Sequence, residues 1–286
     1  MFEDVIILKK NYRIKAAKSD KKEQEYQERQ LRLGDTECTP EDDYPYWKQY
    51  EHTQNTSRRE EFKKSPKTVF LVHTNDDADA INAEFVRDFA VDNETPIFAW
   101  SAHNSNATAA RANHNTVWGL RSFLGVCVGA PVLLLSNLHQ EAGLANGTRG
   151  IVRDVVFAPT YNSKKSNMFD VPLFVVIEFE NYSGPPFPHF DHPKWVPIRV
   201  MSARVNNRGS STRRQIPIVL ARALTHWKAQ GQSLEQVYAY LCTKRHVYGL
   251  DFTAISRAMS RYGLMLDNVQ EDLFTRIKNS RKAQLV

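Results

Sequence analysis

The segment Arg222-Ala-Leu-Thr-His-Trp-Lys-Ala-Gln-Gly-Gln-Ser233 decides the fold. One apolar run, 216–224, leads into it, and a second apolar run, 237–241, follows closely. This pattern predicts a buried strand, a functional loop and another strand, and open α/β sheets hold ligands at the ends of such strands. The loop places a hydroxyl, an ammonium and an amide beside a glycine: Thr225, Lys228, Gln230 and Gly231. Such groups suit contacts with phosphate oxygens.

The composition is that of a soluble protein with a packed core. The chain has 286 residues, of which 42% are hydrophobic and 11% aromatic, enough for one large domain or two smaller ones. A net charge of +6 favours polyanionic partners, although an ordinary basic protein has the same charge. Three widely spaced cysteines indicate a reducing compartment without disulfides. The longest apolar run, 123–135, is too short to cross a bilayer and no signal-peptide pattern is present, so we expect an intracellular protein without membrane attachment.

The chain contains two kinds of sequence pattern. A strand at 68–72, a helix beginning after His73-Thr-Asn75 and a strand at 97–100 predict a parallel α/β sheet. Short strands at 151–157, 174–179 and 195–200, without helices between them, predict a small β-barrel inserted into the α/β domain. Three divisions are predicted. Residues 1–66 hold an N-terminal strand, helices and a linker. Residues 67–140 and 215–286 form the α/β domain, and residues 141–214 form the insert.

Two clusters in the sequence resemble metal sites, but for neither is metal binding the favoured interpretation. Asp76, Asp77 and Asp79 fall in the first turn of the predicted helix, where carboxylates favour the helix dipole. His189 and His192 lie in a proline-rich loop with no further Cys or His cluster, so we expect surface histidines there. No metal site is therefore predicted. No G-x-x-x-x-G-K-[ST] phosphate loop or nucleophilic triad is present either.

A basic loop at 202–214 closes the predicted insert. Its arginines surround Gly209-Ser-Ser-Thr: Arg204, Arg208, Arg213 and Arg214. A flexible loop of this composition is typically solvated. On a DNA-binding protein it is also a candidate for phosphate contacts.

Five stretches, in order along the chain, resemble one family. They are Leu8-Lys-Lys-Asn-Tyr-Arg13, Thr74-Asn75 with Ile81-Asn82, the segment 128–152 with Asn146-Gly-Thr-Arg-Gly-Ile-Val152, Ala223-Leu-Thr-His-Trp-Lys-Ala-Gln-Gly231, and Phe252-Thr-Ala-Ile-Ser-Arg257. Together they resemble the C-terminal half of the PIF/RecD-like helicases, the 5′-to-3′ branch of superfamily 1. The resemblance implies a RecA-like parallel sheet, the second helicase domain, with an inserted SH3-like β-barrel, and the activity of an ATP-dependent DNA helicase.

The resemblance also implies roles toward ATP and Mg²⁺. In such helicases ATP lies between two RecA-like domains, and the second domain supplies arginines to the γ-phosphate. Arg13 and Arg257 match these arginines, and Gln230, Gly231 and Lys228 are expected near the phosphates. The family's first RecA-like domain, with its phosphate loop and Mg²⁺-binding acidic motif, has no counterpart in this sequence. We therefore expect it as a partner in cis or in trans, and negligible ATP hydrolysis by this chain alone.

The remaining matches imply contacts with nucleic acid. Four positions are expected to contact the backbone of single-stranded or fork DNA: Thr74, Asn75, Thr225 and His226. The loop departs from the family in having Trp227 where His is usual and Ser233 where Thr is usual. An indole at that place suits stacking on a base.

Several questions stay open at the level of sequence. A role in DNA repair, recombination or telomere maintenance follows from the resemblance alone, as does a monomer, located in the nucleus or mitochondrion if the source is a eukaryote. The DNA substrate is not fixed by any residue. A non-catalytic module that binds single-stranded nucleic acid is the main alternative function. An incomplete gene product without an independent role is a further alternative.

Overall fold

The computed structural model of the chain describes residues 20–158, 170–207, 209–242 and 249–279. Its α-helices are α1 Lys21–Asp35, α2 Pro40–Lys48, α3 Thr56–Lys64, α4 Asn75–Asp92, α5 Ala107–Arg111, α6 Leu250–Ile255 and α7 Asp272–Lys278. Its strands are β1 Thr68–Val72, β2 Ile97–Ser101, β3 His103–Asn104, β4 Phe123–Cys127, β5 Pro131–Leu134, β6 Arg149–Val156, β7 Phe174–Glu178, β8 Trp195–Arg199, β9 Met201–Arg204, β10 Thr212–Gln215, β11 Ile218–Leu220, β12 Ala223–Thr225, β13 Gln236–Tyr240 and β14 Leu264–Asp267. None of the described helices is both long and apolar enough to cross a bilayer.

The chain divides into two compact units. The first comprises Met1–Ala78 with Ala223–Val286, and the second is Asp79–Arg222. The predicted insert at 141–214 falls wholly within the second unit, and its own boundaries stay a prediction.

A four-stranded parallel sheet forms the centre of the first unit. Its strand order is β12-β1-β13-β14, and every neighbouring pair runs parallel. All five residues of β1 are buried, as the near-continuous apolar run at 68–72 predicts for a strand covered on both faces. The predicted parallel α/β sheet is thereby confirmed, and the strands that flank the loop at 226–233 both belong to it.

The predicted strand–helix–strand unit at 68–100 is wrong in one respect. β2 does not join β1, because it pairs antiparallel with β4 in a separate two-stranded sheet. Most of β2 is exposed or half-buried, whereas β1 and β12 of the parallel sheet are buried throughout. β1 finds such partners in β12 and β13, about 150 residues further along the chain.

The second unit is built mainly from antiparallel strands. Its largest sheet has the order β11-β5-β6-β7-β8, and a smaller one has the order β3-β10-β9. The register of β6 against β7 shifts between Val152 and Asp154, which lets Val152 and Val155 both face the core. That core consists of β-branched and aromatic side chains from successive strands, among them Trp100, Val132, Val175, Ile177 and Ile198.

Helices of the first unit pack through aromatic rings. Tyr26 of α1 lies 5.8 Å, centroid to centroid, from Trp47 of α2 and 5.9 Å from Tyr50, so these aromatic side chains serve packing. α1 ends at Asp35, and the left-handed residue after it is Thr36. Gly34 has a packing role, because a Cβ there would lie 2.9 Å from the ring of Phe252.

Candidate functional site

The ends of β1 and β12 bring the predicted nucleic-acid contacts to one edge of the sheet. Val72 lies in register with Thr225, and the N–H of His226 donates to the carbonyl of Val72 at 3.0 Å. Because both strands run parallel, the segments that follow them leave the sheet side by side. Thr74 and Asn75 therefore lie near Thr225 and His226, as their shared predicted role requires.

Thr74 immediately precedes α4 and is exposed. Its hydroxyl accepts a hydrogen bond from the Asp77 N–H at 3.0 Å and donates to the Asp77 carboxylate at 2.6 Å. This is the capping arrangement typical of a helix N-terminus. Asn75, half-buried, is the first residue of the helix. Thr74 and Asn75 thus have a structural role already, and the same helix end presents backbone N–H groups that favour phosphate oxygens.

The segment after Thr225 folds into a compact loop that projects an indole. The N–H of Ala229 donates to the Thr225 carbonyl at 3.1 Å, and the N–H of Gln230 donates to the Trp227 carbonyl at 3.2 Å. Gly231 closes the loop with φ +84°, a left-handed conformation that favours glycine. The side chain of Trp227 is 57% exposed, Gln230 is exposed and Lys228 is half-buried. The loop therefore offers an aromatic face, an amide and a cation from adjacent positions.

His226 points the other way, into the protein. Its side chain has no exposed surface, and its ring centroid lies 4.4 Å from that of His73. Burial, together with the neighbouring His73, lowers the pKa of His226 to about 3, against the effect of the Leu71 and Tyr240 carbonyls, so the imidazole is neutral. A ring with no exposed surface does not reach a DNA strand in this arrangement. The sequence placed a DNA contact at His226, and the structure presents Trp227 to solvent instead.

Arg257 joins the end of this loop to α6. Its Nε donates to the Thr253 carbonyl at 2.8 Å, its Nη1 to the Gln232 carbonyl at 3.3 Å, and its Nη2 to the Ser256 hydroxyl at 2.7 Å. The residue is 7% exposed. The structure thus brings together Arg257 and the segment that carries Gln230 and Gly231, which were predicted to act on the same nucleotide. Arg13, the other predicted arginine, lies outside the described residues.

These residues fit one part of a bound ATP and Mg²⁺. Lys228 and the exposed Gln230 carry N–H donors, which match phosphate oxygens, whereas Arg257 is buried and already donates to three acceptors of the protein. Mg²⁺ instead requires carboxylate, phosphate or water oxygens, and none of these three side chains supplies a carboxylate. The described portion of this site therefore fits the phosphates rather than the metal.

The basic loop at 202–214 is not uniformly solvated. Arg213 is 1% exposed, and its guanidinium donates to five acceptors, the side chain of Asn104 and the carbonyls of Ala109, Ala110, Ala112 and Leu120. The neighbouring Arg214 is exposed because alternate residues of β10 face opposite sides. As a phosphate-contact candidate Arg213 is therefore wrong, since its donors are already engaged inside the protein. Arg208 lies outside the described ranges.

Sequence reasoning missed one cluster at the same sheet edge. Ligand atoms of His73, His226 and Asp251 lie within 4.8 Å of one another. Each residue stands directly after a strand or at the start of a helix, and only knowledge that β1 and β12 are neighbours brings them together. The histidine pair that the sequence did single out, His189 and His192, is exposed and half-buried respectively, as expected for surface residues.

Comparison with known proteins agrees with this geometry. Residues 122–155 match the family described as "DNA helicase Pif1, 2B domain". The ATP-dependent DNA helicase PIF6 of Trypanosoma brucei brucei is 31% identical over 150 residues, which are 51% of this chain and 16% of that protein. Among solved structures, the Pif1 helicase from Candida albicans superposes with a TM-score of 0.64 at 20% identity, over 93% of this chain and 57% of that one. Pif1 helicase from Bacteroides, solved in complex with ADP-AlF3 and ssDNA, gives a TM-score of 0.59 at 16% identity over 91% and 51%.

In fold and in the matched segment the chain is similar to Pif1 helicases, which confirms the resemblance to the PIF/RecD-like family that the five motifs indicated. The chain spans about half the length of these solved Pif1 structures and a smaller part of the curated relative.

Proposed function

We propose that this chain is the C-terminal portion of an ATP-dependent DNA helicase that unwinds DNA by translocating on single strands. Its first unit acts as the second RecA-like domain, and the five-stranded antiparallel sheet of its second unit acts as the SH3-like barrel. Arg257, with Arg13, is assigned to the γ-phosphate of ATP, and Gln230, Gly231 and Lys228 to the remaining phosphate contacts. A first RecA-like domain, in cis or in trans, supplies the phosphate loop and the Mg²⁺ ligands.

One observation carries this proposal. The loop at 226–233 leaves the edge of the parallel sheet beside the N-terminus of α4, exposes Trp227 to solvent and contacts Arg257 through the Gln232 carbonyl. A single element thus faces both predicted ligands, a nucleic-acid strand and a nucleotide. Similar structures that bind ssDNA and a nucleotide analogue support the same assignment.

Binding of single-stranded DNA tests the proposed contact between the loop and nucleic acid. We expect the full chain to bind a fluorescein-labelled oligothymidine, with an affinity that falls steeply as salt rises. Trp227→Ala is expected to weaken binding by about tenfold, the loss of one base–aromatic stack. Trp118→Ala is the matched control, since Trp118 is also a half-exposed tryptophan, in the second unit. Equal affinities of wild type and Trp227→Ala in fluorescence anisotropy would contradict the assignment of this loop.

ATP turnover tests the nucleotide half. We expect negligible DNA-stimulated phosphate release by the purified chain, because its sequence holds no phosphate loop. Turnover should appear when a phosphate-loop-bearing first domain of a Pif1 helicase is fused ahead of it, and Arg257→Lys should reduce that turnover by about a thousandfold. DNA binding that persists while the fusion neither hydrolyses ATP nor unwinds a fork would favour the non-catalytic binding module instead.

A further inference from the structure

Three metal-ligating side chains converge at the edge of the parallel sheet. His73 follows β1, His226 follows β12, and Asp251 lies in the first turn of α6. One ligand atom from each lies within 4.8 Å of the other two, and within the described part of the chain this is the one such group of three. The three residues come from segments far apart in sequence, so their meeting is a product of the fold.

Three of the four histidine nitrogens of this cluster are buried without a hydrogen bond of good geometry. They are both ring nitrogens of the fully buried His226, which has the Leu71 and Tyr240 backbones close by, and Nε2 of His73. A buried polar group without a partner costs about 1–3 kcal/mol. Folded proteins therefore rarely bring such atoms together unless a ligand satisfies them.

We propose that His73, His226 and Asp251 bind a divalent transition-metal cation, for which Zn²⁺ is the best match. Two imidazoles and a carboxylate are a ligand set that zinc uses with one position left for water. Mg²⁺ and Ca²⁺ prefer oxygen ligands throughout.

The surroundings are arranged as they are around metal ligands. Asp251 is 1% exposed, and its Oδ1 accepts a hydrogen bond from the Cys242 N–H at 3.0 Å, which orients the carboxylate. The carbonyl oxygens of Leu71 and Tyr240 lie near the His226 ring. With the ion bound, we expect one ring nitrogen to donate to one of these carbonyls and the other to bind the ion, the usual arrangement for a ligating histidine.

The cluster needs only a modest contraction to hold an ion. Bonds of roughly 2.0–2.1 Å in a tetrahedron place ligand atoms roughly 3.4 Å apart, against a present limit of 4.8 Å. The bound ion would fix the ends of β1 and β12 and the start of α6 relative to one another. His226 directly precedes Trp227, so the ion would also hold the exposed loop in place. The site itself does not depend on the helicase assignment.

Direct metal binding tests the proposal. The full chain, prepared without a polyhistidine tag and stripped with a chelator, is titrated with Zn²⁺ against a chromophoric competitor, and with Co²⁺ as a spectroscopic probe. We expect one ion per chain, and an affinity at least about tenfold weaker in His73→Ala and in Asp251→Asn. Asp251→Asn keeps an acceptor for the Cys242 N–H, and the exposed His189→Ala serves as the control, with unchanged affinity.

A second readout separates lost binding from lost folding. His226→Leu removes the unpartnered nitrogens and fills the same space, so it should retain the native circular dichroism and bind no ion. Zn²⁺ should raise the Tm of the wild type and leave that of His226→Leu unchanged. The proposal is overturned if the wild type takes up no stoichiometric ion, or if His73→Ala and Asp251→Asn bind Zn²⁺ as tightly as the wild type.

Discussion

Arg213 in the second unit and the His73–His226 pair in the first are both buried polar groups, and they differ in how they are satisfied. The guanidinium of Arg213 donates to four backbone carbonyls and one side-chain amide. The two imidazoles have three buried nitrogens with no hydrogen-bond partner. Since burial without a partner is costly, a satisfied group points to a structural role and an unsatisfied one to a site for a ligand.

The largest expected effect concerns the satisfied group. Arg213→Met should lower the free energy of unfolding by about 3 kcal/mol or more, because it leaves several buried carbonyls without a donor. Urea denaturation followed by tryptophan fluorescence measures this change. Arg214→Met is the matched control at the exposed neighbouring position and should change stability by less than about 0.5 kcal/mol. Equal losses of unfolding free energy in the two variants would show that the buried hydrogen bonds of Arg213 do not stabilise the fold, and the contrast with the histidine pair would fail.

A second satisfied charge lies in the same unit as the histidines. Asp43 has no exposed surface and accepts from Arg29 at 3.2 Å, from Arg32 at 3.1 Å and from the Thr39 N–H at 2.8 Å. Asp43→Asn should cost about 2 kcal/mol, since it leaves two arginines without their carboxylate. Asp42→Asn, whose side chain is 67% exposed, should be nearly neutral. If Asp43→Asn changed the free energy of unfolding as little as Asp42→Asn, hydrogen-bond satisfaction would not distinguish structural buried groups from ligand-binding ones.

The smallest expected effect concerns the unsatisfied pair. In metal-free protein His226→Leu should change the free energy of unfolding by less than about 1 kcal/mol, or increase it, because it replaces unpartnered nitrogens with an apolar group of similar size. Chemical denaturation in the presence of a chelator measures this. A loss as large as that expected for Arg213→Met would show that the imidazole is satisfied in the native protein, and the contrast would fail.

The sequence predicts local elements better than their partners. The apolar run at 68–72 predicts β1 to the residue, and the polar loop after Thr225 is found where its flanking strands place it. The partners of β1 are not predictable in this way, because they come from about 150 residues away, and β2 was wrongly placed beside it. For the same reason neither the burial of Arg213 nor the meeting of His73 with Asp251 can be read from neighbouring residues.

The predicted functional site shows the same difference between features that the sequence predicts and features that depend on the fold. Motif resemblance singled out the loop, Arg257 and the N-terminus of α4, and the structure places Arg257 against the end of the loop and β12, which leads into the loop, beside β1, which leads into α4. It could not say which side chain of the loop faces solvent, since that depends on the turn closed by Gly231. His226 and Trp227 are adjacent in sequence and have opposite exposures.

Photo-cross-linking gives the most direct test of the central claim, that this loop contacts single-stranded DNA. The full chain is irradiated with an oligonucleotide containing 5-iodo-deoxyuridine, and the adducts are located by mass spectrometry. We expect a main adduct at Trp227 that unlabelled DNA competes away. Trp227→Phe should weaken this adduct without moving it, because the phenylalanine ring occupies the same place but reacts less readily. Adducts concentrated at Trp118, Phe123 or Tyr262, which are exposed to a similar degree, with none in the loop at 226–233, would contradict it.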